Sequence, residues 1–378
     1  MLTIKLIAID TSIFGRVAAD YFGYEKVRKK NAESFLTSMT NQGLVPFFFW
    51  HHLEEILQHS DDTTVQNRFA LIKKIPLVAW LKTVNHDGWI GSIIDIQGAE
   101  IKYLLGDPTI KYENLIRNVK KDLVYYTSGE EFTERFEYPL LLLRDYNFFK
   151  TQKKKAISSI SHVRDPEIDN TKLSILNESR LKQPSEAKES LNNLKGKLEE
   201  EIQNRGDKKL KNASKYIQQF VSEVAQDGMK FYEMDSSSLY ERFVKSHGVD
   251  IDEIDEDFTI GDLGYLAANK SRLRIIAESF GLDFKRIIKI SQDSIPSLVI
   301  LTELDKLIRM EKYASGSNIT DKYLAVLSFY VDILVVDKRL KEYFKQVIRR
   351  HQNLSLVINN IISLSSYEKL ENELNGLI

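Results

Sequence analysis

Four acidic residues occupy positions in the sequence from which carboxylates can act together on a cation. Asp10 follows the apolar run LIAI, Asp337 follows ILVV, and Glu55 and Asp321 each lie near the start of a helical pattern. Ligands of an open parallel sheet bind at the carboxyl ends of its strands, where the following helices also present their N-termini. We therefore expect these four side chains to meet at one edge of a sheet.

A cluster of this kind predicts a bound divalent cation. Carboxylates without a partner repel one another and raise one another's pKa, so they need positive charge nearby. Oxygen ligands suit Mg²⁺ or Mn²⁺ better than Zn²⁺, and the chain has no cysteine. Two zinc-binding histidines on one helix face would stand four residues apart, but Glu55 and Ile56 occupy the positions four residues after His51 and His52. We therefore predict Mg²⁺ or Mn²⁺ as the cofactor.

The elements that must position these residues are strands that alternate with helices at both ends of the chain. As far as Gly106, the runs LIAI, LVPFFF and LVAW alternate with helical patterns. The alternation returns from about residue 296, where ILVV and LSLVINNI are the strand-like segments. Such alternation predicts a parallel sheet covered by helices. We therefore predict an α/β domain that consists of residues 1–106 and 296–378.

The middle of the chain has a different character. From Asp107 the strand-like alternation nearly disappears, and long stretches rich in lysine and glutamate predict helices. We interpret residues 107–295 as a mainly α-helical insertion into the α/β domain. Within it, residues 165–190 contain few large apolar side chains and two prolines, which predicts a mobile loop.

Composition and missing motifs exclude several classes of protein. The chain of 378 residues has 43% hydrophobic and 28% charged residues, and no apolar run approaches the roughly 20 residues that span a bilayer. The first residues do not form a signal peptide, so we expect a cytoplasmic protein that is not bound to a membrane. There is no GxGxxG motif, P-loop, nucleophile elbow or HExxH motif, so nucleotide-cofactor chemistry and covalent hydrolysis lack support.

The residues around the first two acids resemble those of PIN-domain nucleases, a family of metal-dependent ribonucleases that includes toxins of bacterial toxin–antitoxin pairs. In that family a first strand ends in an aspartate that is followed by threonine or serine, and IAIDTS contains Asp10, Thr11 and Ser12 in this arrangement. A second acid opens a helix, as Glu55 does in LEEIL. Because Glu54 precedes Glu55 directly, the sequence leaves open which of the two is the ligand.

The later part of the chain extends the resemblance in the order that the family shows. Asp321 begins the helical pattern TDKYLAVLSFY, and Asp337 ends the strand-like run that follows it. Many relatives have a hydroxyl residue just before this final acid, whereas this chain has Val335 and Val336. The resemblance covers about half of the chain and does not extend to the helical insertion.

The resemblance implies a PIN-like endoribonuclease that cleaves phosphodiester bonds in RNA, with a toxin-like or defence-related role. RNA is then the substrate, and an antitoxin or another regulatory protein is an implied partner. The implied catalytic and metal-binding residues are Asp10, Glu55, Asp321 and Asp337, which would hold Mg²⁺ or Mn²⁺. Further side chains are candidates for supporting this site or contacting the substrate: Thr11, Ser12, Glu54, His52 and Lys338.

Several alternatives stay open at this point. Each acid taken singly can be an ordinary helix-start or strand-end residue, and a PIN-like fold can also serve as a scaffold or regulatory module without catalysis. DNA is not distinguished from RNA as substrate. The lysine runs at residues 26–30 and 150–155 can contact phosphates or form solvated helix faces, and the aromatic residues of YNFFK can stack on bases or belong to the core.

Overall fold

A computed structural model describes residues 4–84, 88–144, 169–178, 184–205, 210, 212–229, 236–246, 248–255, 257–309, 318–364, 366–370 and 373. The chain forms two compact units. The first consists of residues 1–151, 290–310 and 319–378, and the second of residues 152–289 and 311–318. The first unit therefore contains all four acids of the predicted site.

The first unit is built around a six-stranded sheet with the order β4-β3-β2-β1-β5-β6. Its strands are β1 (Lys5–Ile9), β2 (Leu44–Phe48), β3 (Val78–Leu81), β4 (Val124–Thr127), β5 (Ile333–Val336) and β6 (Asn360–Ser363). Neighbouring strands are parallel except β3 and β4, which are antiparallel. Strands β2, β3 and β5 are buried along their whole length, as expected for a sheet covered on both faces. The prediction of an α/β class with a mainly parallel sheet is confirmed.

Helices connect the strands of the first unit and make up most of the second. The helices before residue 145 are α1 (Thr11–Tyr21), α2 (Lys26–Asn41), α3 (Trp50–Leu57), α4 (Asp62–Lys73), α5 (Ile93–Gly106), α6 (Tyr112–Leu123) and α7 (Gly129–Leu142). Those of the second unit are α8 (Leu173–Glu178), α9 (Pro184–Arg205), α10 (Ala213–Met229), α11 (Ser236–Ser246), α12 (Ile260–Phe280) and α13 (Phe284–Ile287). The sheet unit is completed by α14 (Pro296–Arg309), α15 (Asn318–Val326) and α16 (Lys338–Arg350).

The boundary of the sheet unit differs from the predicted one at Gly106, because α6, β4 and α7 also belong to this unit. Strand β4 pairs with β3 at the edge of the sheet, and its Tyr125 and Tyr126 are exposed, so it lacks the continuous apolar run of a central strand. Helix α7 begins at Gly129 against the carbonyl groups that end α4. A Cβ atom at Gly129 would clash with the Ile72 carbonyl oxygen, so only glycine permits this approach.

Aromatic side chains from the strands and from α7 form much of the core on one face of the sheet. The Phe48 and Phe132 ring centroids lie 5.4 Å apart, and those of Trp80 and Phe136 lie 5.1 Å apart with the rings nearly perpendicular. Edge-to-face pairs at this separation add to the stability gained from burial alone. Because α7 contributes two of these rings, the sheet cannot be buried properly without the segment that follows Gly106.

Two other predicted segments also differ from the structure. The last strand was predicted at LSLVINNI, but residues 352–356 form a short 3₁₀ helix and β6 begins only at Asn360. The predicted mobile loop at 165–190 is helical over α8 and from Pro184 onward. Residues 165–168 and 179–183 of that loop, the lysine run at 150–155 and the aromatic residues of YNFFK lie outside the described residues.

The described residues of the second unit form small apolar clusters. Leu173, Val244, Val249 and Leu263 form one cluster, and Leu198, Ile202 and Ile217 form another. Helix α12 begins with a capping box between Thr259 and Asp262 and ends at a left-handed Gly281. Within the described ranges, none of the helices of either unit has the length and apolar character needed to cross a bilayer.

Candidate carboxylate site

The sheet brings Asp10 and Asp337 together from opposite ends of the chain. In the parallel pair of β1 and β5, Ile9 stands opposite Val335, and the Asp10 N–H donates to the Val335 carbonyl oxygen at 3.0 Å. The sheet extends from β1 toward β2 and β3 on one side and from β5 toward β6 on the other. The two aspartates therefore lie at the carboxyl edge at the point where the strand order reverses, which is the usual ligand position in such sheets.

Both aspartates also cap the helices that follow them. Asp10 Oδ1 accepts a hydrogen bond from the Ser12 N–H at 2.7 Å, and Asp337 Oδ1 accepts one from the Leu340 N–H at 2.7 Å. Each bond satisfies a backbone donor at a helix N-terminus and fixes the orientation of the carboxylate. The capping bonds use Oδ1, so Oδ2 of each aspartate can face another group. Ser12 thus supports the Asp10 carboxylate through its backbone N–H group.

Glu55 lies in the last turn of α3, and the prediction that it opens a helix was wrong because the helix already begins at Trp50. The Thr11 hydroxyl donates a hydrogen bond to Glu55 Oε2. Burial raises the pKa of Glu55 well above its ordinary value, and the charges of Asp10, Asp321 and Glu54 raise it further. Glu55 and the two aspartates whose charges act on it, Asp10 and Asp321, are named the carboxylate cluster.

The structure separates the roles of the two adjacent glutamates. Glu54 is only 1% exposed, and its Oε2 lies 3.2 Å from Nδ1 of His51 on the same helix. Glu55 is partly buried and is the one that accepts from Thr11. The sequence left the choice open, and of the two glutamates Glu55 is the one that contacts Thr11 beside Asp10.

The positively charged side chain of Arg339 contacts both Asp321 and Asp337. Arg339 Nη2 donates to Asp321 Oδ2 at 2.6 Å, and Arg339 Nε lies 3.8 Å from Asp337 Oδ2. The side chain of Asp321 is largely buried, whereas that of Asp337 is half exposed. Lys338, which precedes Arg339, is exposed to solvent.

His52 does not occupy the position that a substrate contact requires. The sequence left it as a candidate for approaching a substrate phosphate, but it is buried, with its ring 4.8 Å from that of Phe49 and 5.9 Å from that of Phe48. Burial, with a smaller effect of His51, lowers the pKa of His52 to about 3. His52 is therefore a neutral core residue at physiological pH and offers no positive charge to a phosphate.

Val335 and Val336 form the buried end of β5. The hydroxyl group that the resemblance leads one to expect just before Asp337 is therefore missing here. Thr11 supplies a hydroxyl at the same edge from the neighbouring strand's end, where it contacts Glu55. The hydroxyl near the carboxylates therefore follows β1, at Thr11, and does not lie at the end of β5.

Arg68 of α4 is a charged neighbour of the cluster that sequence reasoning missed. Its guanidinium lies against Gly15 of α1, where an added Cβ atom would be 2.7 Å from Nη2. Burial lowers the pKa of Arg68 and the charge of Glu55 opposes that shift. Its Nε is buried and has no hydrogen-bond partner among the described residues. A glycine inside a helix costs about 1 kcal/mol, so Gly15 was the signal that another group approaches α1 closely.

The donor set suits a divalent cation. As it stands, the described part of the chain has no group of three or more histidine, aspartate or glutamate side chains arranged to hold a metal ion. Burial and the charges of Asp10 and Asp321 nevertheless raise the free energy of the charged form of Glu55, as its raised pKa shows. A cation bound among them would lower that free energy, and their oxygen atoms are the ligands that Mg²⁺ and Mn²⁺ prefer.

The chain was compared with protein-family models, with curated proteins and with solved structures, and no match was found. Conclusions about function therefore depend on the residues of the cluster and on the sheet that positions them.

Proposed function

We propose that this chain is a PIN-like, metal-dependent endoribonuclease that hydrolyses phosphodiester bonds in RNA. The observation that carries this proposal is the position of Asp10 and Asp337 side by side at the carboxyl edge of the sheet, where Thr11 next to Asp10 contacts Glu55. The mostly parallel sheet and the order of the four acids along the chain agree with the PIN-like resemblance. RNA as the substrate comes from that resemblance.

The four carboxylates have distinct supporting contacts that suit them to hold metal ions. Asp10, Glu55, Asp321 and Asp337 would bind one or two Mg²⁺ or Mn²⁺ ions, which in this chemistry activate water and stabilise charge on the attacked phosphate. The capping bonds fix Asp10 and Asp337, and the Thr11 hydroxyl donates a hydrogen bond to the Glu55 carboxyl group. Preorganised ligands of this kind reduce the cost of reorganisation during the reaction.

Substrate binding draws on exposed basic side chains of the sheet unit. Lys338 lies in the turn that follows Asp337 and faces solvent, so it is suited to contact a phosphate. Lys26, Lys29 and Lys30 at the start of α2 are also exposed. Binding through such contacts would weaken steeply with added salt, because each neutralised phosphate releases counterions.

Conservative substitutions of the two strand-end aspartates test the proposal. Asp10→Asn and Asp337→Asn keep a capping oxygen but remove the charge, so we expect Mn²⁺-dependent cleavage of labelled single-stranded RNA to disappear while circular dichroism and thermal unfolding stay close to wild type. Asp332→Asn is the matched control, because Asp332 accepts from the Leu6 N–H at the opposite end of β5. Cleavage at the wild-type rate in either site variant would refute the proposal. Hairpin RNA and DNA substrates define the specificity.

A non-catalytic scaffold is the second candidate, and one observation favours it. Arg339 already neutralises Asp321 and approaches Asp337, so these carboxylates have a cation from the chain itself. A scaffold needs no metal, whereas the nuclease does. Calorimetric titration of the wild-type protein with Mn²⁺ separates the two, because heat of binding that disappears in Asp10→Asn is expected only for the nuclease.

A further inference from the structure

Arg339 lies in the first turn of α16, where a positive charge works against the helix dipole. That turn contains Lys338 and Arg339 and no acidic residue. Helix N-termini favour negative side chains, and C-termini favour positive ones. The same helix follows this preference at its other end, where Arg349 and Arg350 lie in the last turn. The stability of the helix therefore does not explain an arginine at position 339.

The contacts of Arg339 with carboxylates do explain it. Its Nη2 donates to Asp321 Oδ2 at 2.6 Å, and its Nε lies 3.8 Å from Asp337 Oδ2. The other oxygen of Asp337 is occupied by the Leu340 N–H. A guanidinium carries five N–H donors in a planar fork that matches either a carboxylate or a phosphate. One side chain therefore bridges carboxylates that belong to the starts of two different helices.

The ion pair between Arg339 and Asp321 is accessible enough to be broken by a competing cation. The side chain of Arg339 is 33% exposed, whereas that of Asp321 is 14% exposed, so the cation is more accessible than the buried carboxylate it holds. A divalent cation that binds Oδ2 of both aspartates must compete with the guanidinium for the same atoms. Once displaced, the guanidinium remains tethered beside the carboxyl edge of the sheet, where a phosphate held by the metal would also lie.

We infer that Arg339 is an exchangeable counter-ion, which holds Asp321 and Asp337 until a divalent cation binds them and which then binds a phosphate group of the nucleic-acid substrate. This inference rests on the proposed function, because it assigns the same two carboxylates to the metal. Toward the metal, Arg339 is a positioning residue that acts through the aspartates. Toward the substrate, it is a direct contact to the phosphate.

Arg339→Gln tests the exchange because it removes the charge and keeps a side chain of similar length. Without the competing cation, Mn²⁺ measured by calorimetry in the absence of RNA should bind about fivefold more tightly, the scale of a partly exposed ion pair. The KM for labelled single-stranded RNA should rise roughly tenfold, because a charge-assisted hydrogen bond to phosphate is lost. The kcat should change less than the KM.

Two further variants serve as controls. Arg349→Gln makes the same substitution at the exposed far end of the same helix, so its Mn²⁺ affinity and its KM should match those of the wild type. Arg339→Lys keeps a positive charge without the planar fork, so Mn²⁺ affinity should stay near the wild-type value while the KM rises. Urea unfolding of each variant shows whether the fold is retained.

The outcomes distinguish this inference from the proposed function. If the wild-type protein binds Mn²⁺ and cleaves RNA but Arg339→Gln binds Mn²⁺ with unchanged or weaker affinity, the exchange is wrong and the nuclease stands. If the wild-type protein does not bind Mn²⁺, both are overturned. If Arg339→Gln binds Mn²⁺ more tightly but has an unchanged KM, Arg339 does not contact the phosphate, and the proposed exchange is wrong.

Discussion

The Thr11 hydroxyl donates a hydrogen bond to Glu55 Oε2 and so joins the first turn of α1 to α3 at the carboxyl edge of the sheet. Thr11 is itself buried, and the glutamate it contacts is only partly exposed. A hydroxyl donor lowers the free energy of the ionised carboxylate, whereas burial and the neighbouring aspartates raise it. Thr11 therefore favours the charged form of Glu55 against the rest of its surroundings.

Replacing Thr11 with valine should move the activity profile toward higher pH. The pKa of Glu55 would rise further without the donor, and metal binding requires the ionised form. Mn²⁺-dependent cleavage near neutral pH should therefore fall by roughly tenfold, the scale of one hydrogen bond to a charged group, and recover partly as the pH is raised. Thr11→Ser keeps the hydroxyl and should retain the wild-type profile. Parallel profiles for the valine and serine variants would contradict this role.

Glu55→Gln should stabilise the protein in the presence of a chelator. A carboxyl group whose pKa is raised by folding contributes stability that is fully present below its unfolded pKa and is lost as the pH rises through the folded pKa. Glutamine cannot ionise, so the variant does not lose this stability as the pH rises. Above neutral pH its free energy of unfolding in urea should therefore exceed the wild-type value by on the order of 1 kcal/mol. Added Mn²⁺ should stabilise the wild type more than the variant. Glu342→Gln, at an exposed ion pair with Lys345, is the control.

Gly15 and Arg68 should show coupled effects on stability. An alanine in place of a helical glycine gains up to about 1 kcal/mol where space allows, but here its Cβ would meet the Arg68 guanidinium at 2.7 Å. Gly15→Ala should therefore be nearly neutral in the wild type and stabilising in an Arg68→Ala background. A double-mutant cycle of urea unfolding measures the difference. Equal gains in both backgrounds would mean that the two residues do not constrain each other.

His52 should make the protein sensitive to acid. Its pKa falls from an ordinary value near 6.5 to about 3 on folding, so the stability that depends on neutral His52 is present above the unfolded pKa and is lost as the pH falls. The loss approaches about 1.4 kcal/mol per pH unit below that point. His52→Leu should flatten the dependence of urea unfolding on pH between neutral and mildly acidic solution. The same slope in both proteins would show that His52 ionises without unfolding the core.

The central strands and their acids could be predicted because their burial appears directly in the sequence. Strands β1 and β5 lie between neighbours on both sides and are covered on both faces, which produces continuous apolar runs that stop at Asp10 and Asp337. Edge strand β4 has only four residues, two of them exposed tyrosines, and so carries no comparable signal. The predicted domain boundary failed at Gly106 for the same reason.

The finer parts of the site depend on tertiary contacts that no local pattern encodes. Helix α3 is buried on most of its surface, including both histidines and Glu54, so it has no polar face from which Glu55 could be singled out. The bridge from Arg339 to Asp321 joins α16, which follows β5 in the chain, to α15, which precedes it. Arg68 approaches Glu55 only because α4 packs across Gly15 of α1.

The pairing of β1 with β5 also sets when the cluster can form during synthesis. Asp10 leaves the ribosome long before its neighbouring strand β5 is made. At about 5–20 residues per second, tens of seconds separate the two, and contacts of such high sequence separation form slowly in any case. A nascent chain therefore carries Asp10 and Glu55 without Asp321 and Asp337, so any activity of the cluster begins only after β5 has been made.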